Sequence, residues 1–255
     1  MSRKSLVDKS LSATLVHGIL ICYSILALWP IFLVVSNSFK SRKGIFNDPM
    51  AVPTAETFST IGFDKVLGRS NFDVYFLNSI TVTVMTLGIT LLIGAMAAWA
   101  LAGYKYRLNT LLAFYLAIGI MVPIRLGTVS ILKLVVAMGL MNSLTALILV
   151  YIAMSLPLTI FILNEFMQQI PNDLKEAARC DGVSEYRIFF QIILPLTKPA
   201  IATVGVFTMV PVWNDLWFPL ILTADDSVRT VTLGVQQFVG QYVTDWNSVL
   251  ASLTL

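Results

Sequence analysis

Three long stretches without a single Asp, Glu, Lys or Arg dominate this sequence: residues 10–39, 74–104 and 134–164. Each exceeds the roughly 20 residues that a helix needs to cross about 30 Å of hydrocarbon. Backbone N–H and C=O groups find no water there, so each window must form a helix that bonds them internally. The windows predict spans with cores near 13–35, 79–101 and 144–164. The composition agrees. Only 12% of the 255 residues are charged, 57% are hydrophobic, and the mean hydropathy is +0.81. A soluble domain carries about 25% charged residues. Half that leaves too little polar surface for a water-facing globule, and the lipid bilayer is the expected solvent.

Two weaker spans complete the pattern. Residues 108–124, between Arg107 and Arg125, are just long enough to cross. The apolar piece 126–141, interrupted by Lys133 and Gly139, is too short and is expected to lie at the far membrane surface or to re-enter. Residues 199–224, uncharged except for Asp215, read as a fifth span, and Val249–Leu255 as the opening turns of a sixth that the chain does not complete. The expected fold is all-α and polytopic, with residues 1–12 as an N-terminal tail and 13–255 as the membrane domain. Arg3, Lys4 and Lys9 resemble a signal-peptide n-region, but the apolar stretch behind them is too long and no small-residue cleavage site follows.

Basic residues give an orientation. An N-terminus inside collects Arg3, Lys4, Lys9, Lys105, Arg107, Lys175, Arg179, Arg187 and Lys198 in short cytoplasmic segments, while the remaining basic residues spread over longer outer loops. Lys40, Arg42 and Lys43 argue the other way. Within the second span, Gly94, Ala98 and Ala102 recur every four residues, a spacing that lets helix backbones approach closely or simply reflects how common small residues are in membrane helices.

Several chemistries have no residues to carry them. The net charge of +3 comes without a basic run, so no nucleic acid is expected. Cys22 and Cys180 form no CxxC pair, and His17 is the sole histidine, so neither a metal site nor a disulfide is expected. No G-x-x-x-x-G-K-[ST] is present, and no HExxH, GxSxG or intramembrane pair of aspartates. The reading has no catalytic residues and no cofactor.

The informative segment is the loop 168–199 between the fourth and fifth spans. Asn172 or Asp173 would cap a helix, with Glu176 three residues after Asp173 completing a capping box. Leu174, Ala177 and Ala178 share one face, and Gly182 supplies a left-handed turn. Ser184 would cap a second, apolar helix that Pro195 ends. This helix pair is either an ordinary amphipathic connector or a rigid knob offering a small-residue face to a partner's cleft.

Glu176-Ala177-Ala178, Asp181-Gly182, Ile192-x-Leu194-Pro195 and Pro199 resemble the EAA signature of permeases in ATP-binding-cassette importers. Ile170-Pro171 and Asp181-Gly182 are similar to the branch that takes up sugars and polyols, as are Asn37-Ser38-Phe39-Lys40, Asn78-Ser79, Met121-Val122-Pro123 and Trp213-Asn214-Asp215. The resemblance implies six spans and a non-enzymatic subunit of the inner membrane. It also implies a second permease, two ATPase subunits and an external solute-binding protein as partners. It assigns Glu176, Ala177, Ala178, Asp181, Gly182, Leu194 and Pro195 to coupling with the ATPase.

Asp215 is the one acid well inside a span. It is either a proton relay, an ion site or a polar lining of the transport path, or a group that pairs structurally or faces the partner permease near the outer surface. Trp213, Asn214 and Trp217 beside it would suit a sugar path, stacking on sugar faces and bonding hydroxyls. An ion- or proton-coupled secondary transporter using Asp215 or Arg125 is the competing function. That class needs inverted repeats or broken helices at matching positions, and no convincing internal symmetry is visible.

Overall fold

Helices make up the regular structure of the computed structural model, which describes residues 3–104, 106–240 and 243–255, leaving aside the side chains of residues 3–13 and of Arg69. In chain order they are α1 (Arg3–Ser38), α2 (Arg42–Asn47), α3 (Ile61–Arg69), α4 (Phe72–Gly103), α5 (Asn109–Met121), α6 (Thr128–Ala137), α7 (Leu144–Gln168) and α8 (Asn172–Cys180). There follow α9 (Glu185–Leu196), α10 (Lys198–Asn214), α11 (Trp217–Leu222), α12 (Val231–Gln236) and α13 (Trp246–Thr254). The chain divides into two units, Met1–Phe72 with Val235–Leu255, and Asp73–Gly234.

In the first unit α13 packs on α3 and α1. A Cβ at Gly62 would run into the Asn247 carbonyl, so α3 and α13 meet backbone to backbone. Lys40 is buried, its ammonium donating to the Asp48 carbonyl at 2.9 Å while its own carbonyl accepts from the Asn247 amide at 2.6 Å. Asp245 caps α13 through the Ser248 N–H and pairs with Lys65 at 2.6 Å. The cap starts the helix at Trp246, three residues before the expected Val249. From Thr14 to Ser38, α1 is long and apolar enough to cross a membrane.

In the second unit α4 and α7 are the two uninterrupted spans. With 32 residues α4 is about 48 Å long, well beyond the hydrocarbon thickness. Its small-residue face is the contact with α7: Ala95 and Ala98 are fully buried, and a Cβ at Gly94 would overlap the Thr159 methyl. We expect Gly94→Ala to cost about 1–3 kcal/mol, because Thr159 is buried and its β-branched side chain has little rotamer freedom with which to give way in a helix. The midpoint of thermal unfolding of the purified complex should fall, and Thr159→Ser, which removes the offending methyl, should restore it. An unchanged midpoint in Gly94→Ala would show that the two helices do not touch there.

Two spans depart from the expected straight helices. The third is only 13 residues, ending at Met121, and the chain then bends by 87° into the segment Ile124–Ala137. Pro123 forces Val122 into an extended conformation, with ψ at 121°, and so breaks the helix. The fifth stops at Asn214 rather than running to 224. Pro219 has no N–H to return to the Asp215 carbonyl, which instead accepts from the Thr232 hydroxyl at 2.7 Å. A second bend, of 74°, separates α9 from α10. Among the described residues three helices can cross a membrane alone, or five spans are formed if each bent pair counts as one.

Candidate functional site

The loop between α7 and α10 is built around α8. Pro171 is its N-cap, with the fixed φ of proline at −54°. The anticipated capping box does not form: Asn172 and Asp173 already lie inside the first turn, and the Asn172 side-chain Oδ1 accepts from the Lys175 ammonium at 3.2 Å. Asp173 still serves the helix as a negative charge in its first turn.

The C-terminus of α8 follows the expected pattern. Gly182 has φ +74°, its N–H bonds the Arg179 carbonyl at 3.0 Å, and the Val183 N–H bonds the Ala178 carbonyl at 3.0 Å. These are the two bonds of a Schellman motif, and Val183 packs on the same apolar cluster as Ala178, as that motif favours.

The faces of α8 divide differently from the sequence pattern. Ala178 and Lys175 point inward, 7% and 3% exposed, whereas Leu174 and Ala177 lie on the open side with Glu176, Cys180 and Asp181. Lys175 escapes a sequence reading because a lysine in a polar helix looks solvated. Here its ammonium stands 5.3 Å from the centre of the Trp99 ring, at the far end of α4. Burial lowers its pKa, and the nearby Arg179 adds to that shift.

A second tie runs from Arg179 to Glu185 at 2.7 Å, and Glu185 accepts from the Tyr104 hydroxyl at 2.9 Å. The hydrogen bond from Arg179 holds the Glu185 carboxyl below its ordinary range. Stability from this pair is therefore present above the unfolded carboxylate pKa and is lost as pH falls through the lower folded value. Both side chains are about two-fifths exposed, so the pair is worth about 0.5 kcal/mol or less.

The second helix, α9, does not end at Pro195. Residues Ile188–Ile193 take wider π-type turns just before the proline, and the helix continues to Leu196. The widened turns carry the helix past a residue that lacks an N–H. The Thr197 hydroxyl then closes it, donating to the Ile193 and Leu194 carbonyls at 2.9 and 3.0 Å. Ile188, Phe189 and Ile193 are buried with Leu163, Met167, Ala178 and Ala200, so α7, α8, α9 and α10 share one core. Leu194 packs at its edge and Pro195 is exposed. A push on the open face of α8 thus reaches two spans and, through Trp99, a third.

At the other break Asp215 is fully engaged. Its carboxylate accepts from the Tyr151 hydroxyl at 2.8 Å and from the Trp217 and Phe218 N–H groups at 3.3 and 3.1 Å. Trp213 meets Phe76 edge to face, and the Asn214 amide donates to the Val210 carbonyl at 2.8 Å. Sequence reasoning missed Asn142, which takes φ +56° and accepts from the Ala224 N–H at 2.7 Å, while its own N–H bonds the Leu222 carbonyl at 3.0 Å. An Asn before a Ser that caps an apolar run was the available signal. Asn142 and Tyr151 fasten both ends of α11 to the start of α7.

Residues 90–254 match the family described as the binding-protein-dependent transport system inner membrane component. The chain belongs to this family. The permease is 36% identical to a putative ABC transporter permease of Caldicellulosiruptor sp. over 90% of its own length and 85% of the relative's. It is 31% identical to the diacetylchitobiose uptake system permease NgcG of Streptomyces coelicolor, over 95% of its length and 80% of that protein's. The permease also shares its fold with a chain in the crystal structure of a bacterial ABC transporter that imports the acidic polysaccharide alginate. That likeness covers 100% of this chain and 92% of the other, with a TM-score of 0.78 and 21% identity. The permease is therefore a multi-pass membrane subunit of an ABC importer, a transporter and not an enzyme. Its family works with other permease, ATPase and solute-binding components.

Proposed function

We propose that the permease moves a carbohydrate or polyol inward across the inner membrane, paired with a second, different permease and driven by two ATPase subunits. Relatives named for diacetylchitobiose uptake and for melibiose, raffinose and stachyose import support the cargo class. In this reading the N-terminal tail, residues 1–12, is cytoplasmic and 13–255 form the transmembrane domain. The loop 168–199 faces the cytoplasm, and α8 docks in a cleft of the ATPase. Glu176, Ala177, Ala178, Asp181, Gly182, Leu194 and Pro195 couple the two proteins, with Ala178 acting from beneath. Trp213, Asn214 and Asp215 border the path.

One observation carries the reading. The helix α8 is anchored by Lys175 and Ala178 yet leaves Leu174, Glu176, Ala177 and Asp181 open, on a loop with no chemistry of its own. The test is chemical cross-linking in membranes holding the whole complex, with the exposed thiols removed by Cys22→Ser and Cys180→Ser. Ala177→Cys and Leu174→Cys should cross-link to the ATPase, and the buried Ala178→Cys should not. No adduct from either open position, at normal ATPase content, would reduce the loop to a connector.

A further inference from the structure

Arg125 is the only charge between Arg107 and Lys133, and it sits in the turn where the chain bends between α5 and α6. A permanent cation at the break between two apolar segments is a candidate contact for a polar cargo. Arg125 is exposed, and among the described residues no carboxylate pairs with it. The acid of the same break region, Asp215, spends its oxygens on Tyr151 and on two backbone N–H groups.

What does hold Arg125 is an aromatic face. Its guanidinium carbon lies 5.6 Å from the centre of the Trp217 ring. Trp217 is fixed in turn, its indole N–H donating to the Thr128 hydroxyl at 3.0 Å and its backbone N–H to Asp215. A guanidinium resting on a ring keeps its in-plane N–H donors available. The two broken spans thus bring together a steadied, uncompensated fork of donors and an indole that is itself 39% exposed. Ile124, next to Arg125, lines an apolar cleft of about 800 Å³ between α5 and α7.

We propose that Arg125, carried on Trp217, is a cargo-contacting residue that selects sugars bearing an sp² oxygen acceptor, a uronate carboxylate or an acetamido carbonyl, over sugars with hydroxyls alone. The inference rests on the permease reading above and adds the residue that discriminates. A carboxylate takes two parallel N–H donors from one fork, and an acetamido carbonyl, a single oxygen, is a stronger acceptor for the guanidinium than a hydroxyl. A carbohydrate ring can stack on the indole beside it, so one arrangement reads both the ring and its substituent.

The test uses the complete permease–ATPase complex in lipid nanodiscs without its solute-binding protein, so that the membrane site alone is read. Three disaccharides serve as probes: digalacturonate, diacetylchitobiose and cellobiose. Affinity is followed by tryptophan fluorescence. Wild type should bind at least one of the first two about tenfold or more tightly than cellobiose. Arg125→Gln should erase that difference and leave cellobiose binding unchanged, and Arg125→Lys should restore only part of it. Which of the two acceptor sugars gains distinguishes carboxylate from acetamido recognition.

Equal binding of all three by wild type, no binding of any, or an equal loss of all three in Arg125→Gln overturns the proposal. So does an Arg125→Gln effect confined to copurifying anionic lipid, which would make Arg125 a headgroup contact. Coupled uptake by the intact system, assayed separately with its binding protein, decides the permease reading on its own.

Discussion

Gly182→Pro should abolish uptake while leaving the permease inserted in the membrane at normal amounts. The left-handed turn at φ +74° is out of reach for proline, whose φ is locked near −65°. The substitution also deletes the N–H that bonds the Arg179 carbonyl, and with it half of the Schellman motif. The exit angle from α8 into α9 must change, which tears Ala178 and Val183 from the shared core. Gly182→Ala is a milder probe. Nothing lies within 4 Å of the position a Cβ would occupy, so the cost is only the left-handed strain, about 1–2 kcal/mol. Gly182→Asn should retain most activity, because asparagine tolerates this conformation better. Uptake, and ATPase copurified with equal amounts of permease, would be measured for all three. Normal values for both in Gly182→Pro would mean that the turn transmits nothing.

Replacing Asp215 by Ala should destabilise the permease by about 3 kcal/mol. Two backbone N–H groups lose their cap, and the hydroxyl of Tyr151, which is only 3% exposed, is left without an acceptor. Asp215→Asn keeps one acceptor oxygen and should cost less. The decisive comparison is a double-mutant cycle read by thermal inactivation. Tyr151→Phe should recover part of the loss in the Asp215→Ala background, since it removes the orphaned hydroxyl rather than burying it. Strict additivity of the two changes would show that the pair does not couple. Retention of full stability by Asp215→Ala would remove the structural role altogether.

These two positions differ in how far the sequence alone foretold them. For Gly182 the local pattern sufficed, because a glycine after an amphipathic turn meets a requirement set by its own backbone. The charge-free windows sufficed for α1, α4 and α7 for a similar reason: an uncharged run of spanning length in lipid has only one way to bond its backbone. Where the chain broke, local reading overran. Pro123 and Pro219 lay inside the expected spans 108–124 and 199–224, yet the helices stop before them, at Met121 and Asn214. Pro195 read as a helix ender, yet it sits inside α9 because the turns before it widen, a change invisible in residue order.

Tertiary structure alone decided which side of α8 is open. The helix repeat places Leu174 with Ala177 and Ala178, but the core formed by α7, α9 and α10 takes Ala178 together with Lys175. The charge of Lys175 is made tolerable by the Trp99 ring, 76 positions back in the chain. In the same way Asp215 looked like an isolated intramembrane acid until Tyr151 and two N–H groups closed around it, while Arg125 proved to have no such partner. Sequence determines what each segment must satisfy within itself: its backbone hydrogen bonds, its turns and its solvent. Whether a polar side chain is spent or left available depends on groups that only folding brings within 3 Å.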